Sequence, residues 1–104
     1  IVNTNNLINY LKLSQRKNNM KLNIYSMYDQ AAQAYLPPVY LENDNVAKRA
    51  IQNAVNTQDH QFNQNPADYT LFHLGEWDDC TATITMLKTP NVLAKCNELL
   101  TITE

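Results

Sequence analysis

The segment Lys21-Leu-Asn-Ile-Tyr-Ser-Met-Tyr28 carries large side chains on both faces of an extended chain. Leu22, Ile24 and Ser26 fall on one side, and Tyr25 and Met27 on the other, because successive strand residues alternate. A strand that is apolar on both sides is usually an inner one. It runs through the middle of a sheet or is covered on both faces. A chain of 104 residues allows one domain with one modest core, so this strand anchors that core.

The other elements fall into place around it. Residues 29–34 are a short Ala- and Gln-rich connection. Pro37-Pro38 forces an extended path, because each ring fixes φ and restricts the residue before it. Val39-Tyr40-Leu41 then adds to a sheet edge. The spacing of Val46, Ala47, Ala50, Ile51, Ala54 and Val55 predicts a helix over 44–56 with one apolar stripe. Asn43 or Asp44 caps it, and Lys48, Arg49, Gln52 and Asn53 take the wet face.

Residues 57–68 form a polar connection, with Phe62 as its anchor into the core and Asn65-Pro66 as a turn. Tyr69 to Gly75 reads as a strand. Residues 82–87 read as another, joined to the first through Asp78–Thr81 as an antiparallel hairpin. Thr89-Pro90 resembles a helix start, and Val92, Leu93, Cys96, Leu99 and Leu100 follow at helical spacing. A short C-terminal helix over 90–99 is expected, with an extended edge segment as the alternative. The sum is an α+β domain: a small, mostly antiparallel sheet of about three strands covered by one main helix.

Met20 divides the chain by charge. Residues 1–19 contain Lys12, Arg16 and Lys17, six asparagines and no acid. All ten acids follow Met20, against five Lys and Arg, so the charge is +3 before it and −5 after it. Asn occurs fifteen times and Gly once, which points to an AT-rich gene, as in a small phage or a low-GC bacterium. Gln15-Arg-Lys-Asn-Asn-Met20 back-translates to a ribosome-binding site at ordinary spacing before a start codon. The expectation is a translated leader or disordered extension over 1–19 and a single domain over 20–104. An amphipathic helix over Leu7–Leu13 is the alternative.

Several chemistries find no support. His60, His73, Cys80 and Cys96 are of the atom types that bind zinc but lack ligand spacing, so separate packing roles are expected and no metal or cofactor. Glu76, Asp78 and Asp79 read as turn acids, since Asp bonds its own backbone there. No Gly-x-Ser-x-Gly elbow occurs, and one glycine builds no phosphate loop. No apolar run reaches the roughly 20 residues of a membrane span. Pro37-Pro38-Val39-Tyr40 matches the PPxY pattern of WW-domain ligands, with a structural role expected instead. Two cysteines suit a reducing compartment.

Nucleic acid is the serious case. Stacked bases contribute on the order of 1–3 kcal/mol each on aromatic side chains. Tyr25 and Trp77 are the candidates for stacking, with Lys21, Lys48, Arg49 and Lys88 for phosphate. The charge of −5 after Met20 opposes a strong backbone grip.

Met20-Lys-Leu-Asn-Ile-Tyr-Ser-Met-Tyr-Asp29, then Ala34-Tyr-Leu-Pro-Pro38, resembles the opening of the small nonstructural protein of gokushoviruses, single-stranded DNA phages of the Microviridae. Asn45-Val-Ala-Lys-Arg-Ala-Ile-Gln-Asn-Ala-Val-Asn56 is similar to the next block of that family. So are His60-Gln-Phe62 and Asn65-Pro-Ala-Asp-Tyr-Thr-Leu-Phe-His-Leu-Gly-Glu-Trp-Asp-Asp79. The resemblance spans about residues 20–90. It implies a protein of the host bacterial cytoplasm, absent from the mature virion, that binds DNA or assists the switch to single-stranded genome synthesis.

The expectation is therefore a non-enzymatic phage accessory protein acting through weak single-strand contacts, replication-protein contacts, or both. The alternative is a protein-interaction module whose acidic face (Glu42, Asp44, Glu76, Asp78, Asp79) engages a basic phage or host partner such as an initiator or capsid component. A homodimer through an open sheet edge is compatible with either.

Overall fold

The computed structural model describes residues 21–101. The leader and the Leu7–Leu13 helix expected from the sequence lie outside the described residues. Strand β1 spans Lys21–Asp29, β2 Ala34–Tyr35, β3 Val39–Leu41, β4 Tyr69–Asp78 and β5 Thr83–Lys95. Helix α1 spans Asp44–Val55, α2 Gln61–Gln64 and α3 Cys96–Leu99, with a 3-10 turn at Pro66–Asp68.

The sheet is antiparallel throughout. β1 lies beside β4, and β4 beside β5, while β2 and β3 share the other side of β1 in succession. The three long strands match the expected core of the sheet, and β2 and β3 widen it. β1 is central, as its two-sided apolar pattern requires: Ile24, Tyr25, Ser26 and Met27 are all buried. Ser26 is the polar member of that run. Its hydroxyl donates to the Leu36 carbonyl at 2.6 Å, and Leu36 N–H donates to the Met27 carbonyl at 2.8 Å. The Pro37-Pro38 segment is thereby held beside β1, and Val39 and Tyr40 of the PPxY pattern join the sheet as part of β3.

One face, here called the front, receives α1. Tyr25, Met27, Tyr69 and Leu71 meet Ala47, Val55, Phe62 and Cys96 there, with Leu36, Leu41, Ile51, Ala54 and Leu93 around them. Ala50 is exposed at the margin of the predicted stripe. Asn43 caps α1 by accepting from Val46 N–H at 2.9 Å, which satisfies one of the orphan donors of the first turn. The Tyr25 hydroxyl donates to Asp44 Oδ1 at 2.6 Å and ties the helix start to the middle of the sheet. The polar connection contains α2, capped by His60 Nδ1 accepting from Phe62 N–H at 3.0 Å. Phe62 is buried as expected.

The helix expected from residue 90 is corrected. β5 runs on to Lys95, and only Cys96–Leu99 is helical. Val92 pairs with Phe72 and Ala94 with Leu71, so ladder hydrogen bonds and burial of Ala94 outweigh the helical spacing. Two bulges create that spacing. Leu93 is extra between the Phe72 and Leu71 pairs, and Leu87–Pro90 lie opposite Leu74 alone. Inserted residues shift the alternation of a strand, and a shifted period-2 pattern imitates a helical one.

Gly75, the single glycine of the chain, sits beside that bulge. A Cβ there would overlap the Thr85 carbonyl oxygen and reach 2.9 Å from Met86 Cα. β5 therefore passes closer to β4 than any side chain permits. Leu74 is also extra relative to β1, since Ile24 pairs with Gly75 and Tyr25 with His73.

Candidate nucleic-acid interface

The registers assign each paired strand residue to a face and leave the bulged Leu74, Leu87–Pro90 and Leu93 unassigned. Opposite the helix, here called the back, lie Leu22, Ile24, Ser26 and Tyr28 of β1, which pair with Trp77, Gly75, Phe72 and Thr70 of β4. Tyr35 joins through its pairing with Tyr28, and Tyr40 through Ile24. Ile84, Met86 and Val92 extend the same face across β5. No helix among the described residues packs on it, and Tyr35, Tyr40, Ile84, Met86 and Val92 are exposed.

The aromatic side chains of this face form two groups. Tyr28, Tyr35 and Phe72 meet edge to face, with centroid separations of 4.9 Å, 5.5 Å and 6.4 Å. Tyr40 and Trp77 form the second pair at 6.2 Å, with their planes at 78°. Such T-shaped contacts suit the ring quadrupoles and hold each ring in place. Leu22, Tyr40 and Trp77 line a shallow hollow of about 250 Å³. That is smaller than the roughly 300–1,000 Å³ of a small-molecule pocket and fits a platform for flat groups better than a cage.

Charge is divided between the faces. Asp29, Glu76 and Asp78 all occupy front-face positions, by their pairings with Tyr69, Asn23 and Lys21. Among the described residues no paired strand position on the back carries a carboxylate, and of the paired cations Lys95 lies there, by its pairing with Thr70, while the bulged Lys88 has no register partner. The three strand carboxylates are thus turned away from the aromatic surface.

The sequence-predicted residues fare unequally. Trp77 stands on the open face. Tyr25 does not: it is wholly buried on the front side and bonded to Asp44, so it offers no ring face to a base. The four cations do not converge. Lys21 borders a front-face cleft with Glu76, Asp78 and Thr83. Lys48 lines a second front-face cleft with Asn23, Asn43, Asp44, Asn45 and His73. Arg49 is exposed on α1, and Lys88 is exposed in the β5 bulge. Sequence reasoning offers every aromatic residue as a stacking surface but selects Tyr25 and Trp77, not Tyr28, Tyr35, Tyr40 and Phe72. Their signal was the phase of Leu22 and Ile24 in β1, which Tyr28 shares.

The remaining polar groups hold structural posts. His73 Nε2 lies 3.1 Å from Asn23 Oδ1 and 2.9 Å from the Gly75 carbonyl oxygen, beside the bulge. Asp78 Oδ1 accepts from Cys80 N–H at 2.9 Å, the turn role expected of it, whereas Glu76 belongs to the strand. Asp78, Asp79 and Cys80 bring their ligand atoms within 4.8 Å of one another at the hairpin tip, and His60, His73 and Cys96 join no such group among the described residues. Burial pushes the Cys96 thiol up to about 11. Burial first, then the bond to Asp44, raises the Tyr25 hydroxyl. Burial also raises Tyr69, with Asp29 and Asp68 nearby adding to it. Each of these shifts favours the neutral form in the core.

A family model described as phage ORF5 protein matches residues 22–99, and the chain belongs to that family. No curated protein and no solved structure matches at a significant level.

Proposed function

We propose that this phage ORF5 protein is a non-enzymatic accessory protein that holds single-stranded DNA on the back of its sheet. In this reading Tyr28, Tyr35, Tyr40, Phe72 and Trp77 stack bases, and the contact assists the switch to single-stranded genome synthesis in a gokushovirus-like infection. The observation that carries it is a sheet face with no described helix on it, bearing five aromatic side chains, of which Tyr35 and Tyr40 are exposed, and no paired strand carboxylate. Stacking tolerates any base, because every base has a π-face. With Lys48 and Arg49 on the far side, little affinity comes from phosphate neutralisation, so binding is weak and stacking-led. Duplex DNA hides its base faces and is a poor ligand for such a surface.

A direct test compares labelled oligo-dT with a duplex of equal length by fluorescence anisotropy. A clear preference for the single strand supports the reading. Equal or tighter duplex binding overturns it.

A second reading has its own observation. Glu76 and Asp78 share the front face, with Asp79 beyond them at the hairpin tip. Glu42 and Asp44 flank the start of α1. A basic phage or host protein would engage this side and leave the back face unused. Absence of any oligo-dT binding at low salt, with a basic partner retained, favours it.

A further inference from the structure

The geometry points to a homodimer formed by antiparallel pairing of β5 with β5 of a second copy, along Thr83–Leu87. β5 pairs with β4 on one side and with no other strand among the described residues. Such an edge presents backbone N–H and C=O groups to any complementary strand. The five residues from Thr83 to Leu87 are uncharged and exposed, with Ile84 at 50% and Met86 at 56%. They are β-branched or apolar and contain neither Pro nor Gly, so nothing in this stretch blunts the edge.

The ends of the stretch select a second copy as the occupant. Asp78 and Asp79 lie at the hairpin end, and Lys88 lies just past Leu87. A two-fold axis at Thr85 directs Lys88 of each copy toward the acidic hairpin of the other. Parallel pairing would instead bring like ends together. The same axis sets Ile84 against Met86 twice on the back face, and each such cross-strand pair stabilises the ladder. Pairing cannot run much further, because Leu87–Pro90 bulge opposite Leu74 and Pro90 has no N–H to donate. A two-fold, self-complementary contact of this kind is the commonest oligomer interface. It would join two aromatic faces into one broader surface, yet it stands without the DNA reading.

Sedimentation equilibrium of the full chain tests it. The expected result is a mass approaching twice 12.0 kDa at tens of micromolar protein (order of magnitude, for a contact of modest size). Thr85→Lys should shift that mass to a single chain. Within one copy the new lysine lies opposite Glu76, which a monomer tolerates, whereas the two-fold axis sets two lysines together. Circular dichroism confirms that the variant is folded. Should it not fold, Thr85→Cys in a Cys80→Ala background, treated with a short bismaleimide, gives the same answer by the appearance of cross-linked dimer. A monomeric wild-type chain, an undiminished Thr85→Lys dimer, or an absent cross-link overturns the proposal. Thr85 faces the front, so loss of the dimer with retained oligo-dT binding separates this outcome from the fate of the DNA reading.

Discussion

Tyr40 and Trp77 meet edge to face at 6.2 Å although they come from strands on opposite sides of β1. Tyr40 arrives through the Pro37-Pro38 segment and Trp77 through β4. With Leu22 they line one shallow hollow and make one surface from two distant parts of the chain. The consequence is that binding energy should concentrate there. Trp77→Ala is expected to weaken oligo-dT binding by about 1–3 kcal/mol, or roughly 5- to 150-fold. The double substitution Lys48→Ala, Arg49→Ala should change it far less. Anisotropy titrations of both variants check the contrast, and the reverse order would move the site to α1.

Tyr25 separates structure from binding. Tyr25→Phe removes the hydroxyl that donates to Asp44 and keeps the ring. A hydrogen bond to a charged group contributes about 1–3 kcal/mol, so urea denaturation should show a loss of that order. Oligo-dT affinity of the folded variant should be unchanged.

Gly75 and Ala82 should respond in opposite directions. Gly75→Ala forces the β5 backbone away from β4, and overpacking of this kind costs about 1–3 kcal/mol. Ala82, in the hairpin connection, has φ 54°, a left-handed conformation that is costly for a residue with a Cβ. Ala82→Gly should relieve it for a net gain of about 0.5 kcal/mol after the entropy of the unfolded glycine is counted. Thermal melts of the two variants test both signs.

Cys96 gives the fold an alkaline limit. Burial raises its thiol from 9.0 to about 11. The folded state therefore binds its proton more tightly than the unfolded state does. The stability is fully present below pH 9 and is lost as the pH rises from 9 through about 11. By pH 10 the loss should be about 1 kcal/mol. Tyr25 and Tyr69 shift in the same direction from 10.0 and add to the loss at higher pH. Cys96→Ala should flatten the decline between pH 8 and pH 10, read as urea midpoints under reducing conditions.

Much of this fold is legible in the sequence because period-2 and period-3.6 patterns survive wherever elements are regular. The two-sided pattern of β1 gave its central place, and the stripe from Val46 to Val55 gave α1 to within a residue. Legibility fails at the bulges. Leu93 and the Leu87–Pro90 insertion shift the phase of β5, and the shifted pattern imitates a helix from Pro90 onward. The same limit hid the candidate site. Tyr25 and Tyr28 look equivalent in a short apolar strand, yet three positions place one in the core and the other on the open face. Which face α1 would cover is a tertiary fact, settled by Ala47 and Val55 packing on Tyr25 and Met27 rather than by any local signal.

Trp77 is the single tryptophan of the chain, so its fluorescence reports on the proposed surface alone. Titration with oligo-dT across a salt series is the most direct measurement. Stacking on the back face predicts saturable quenching with a shallow slope of log K against log salt, about −0.7 for each phosphate engaged and no more than one or two phosphates in total. Unchanged Trp77 fluorescence under conditions where oligo-dT is bound, or a steep slope of several phosphates, would contradict the account.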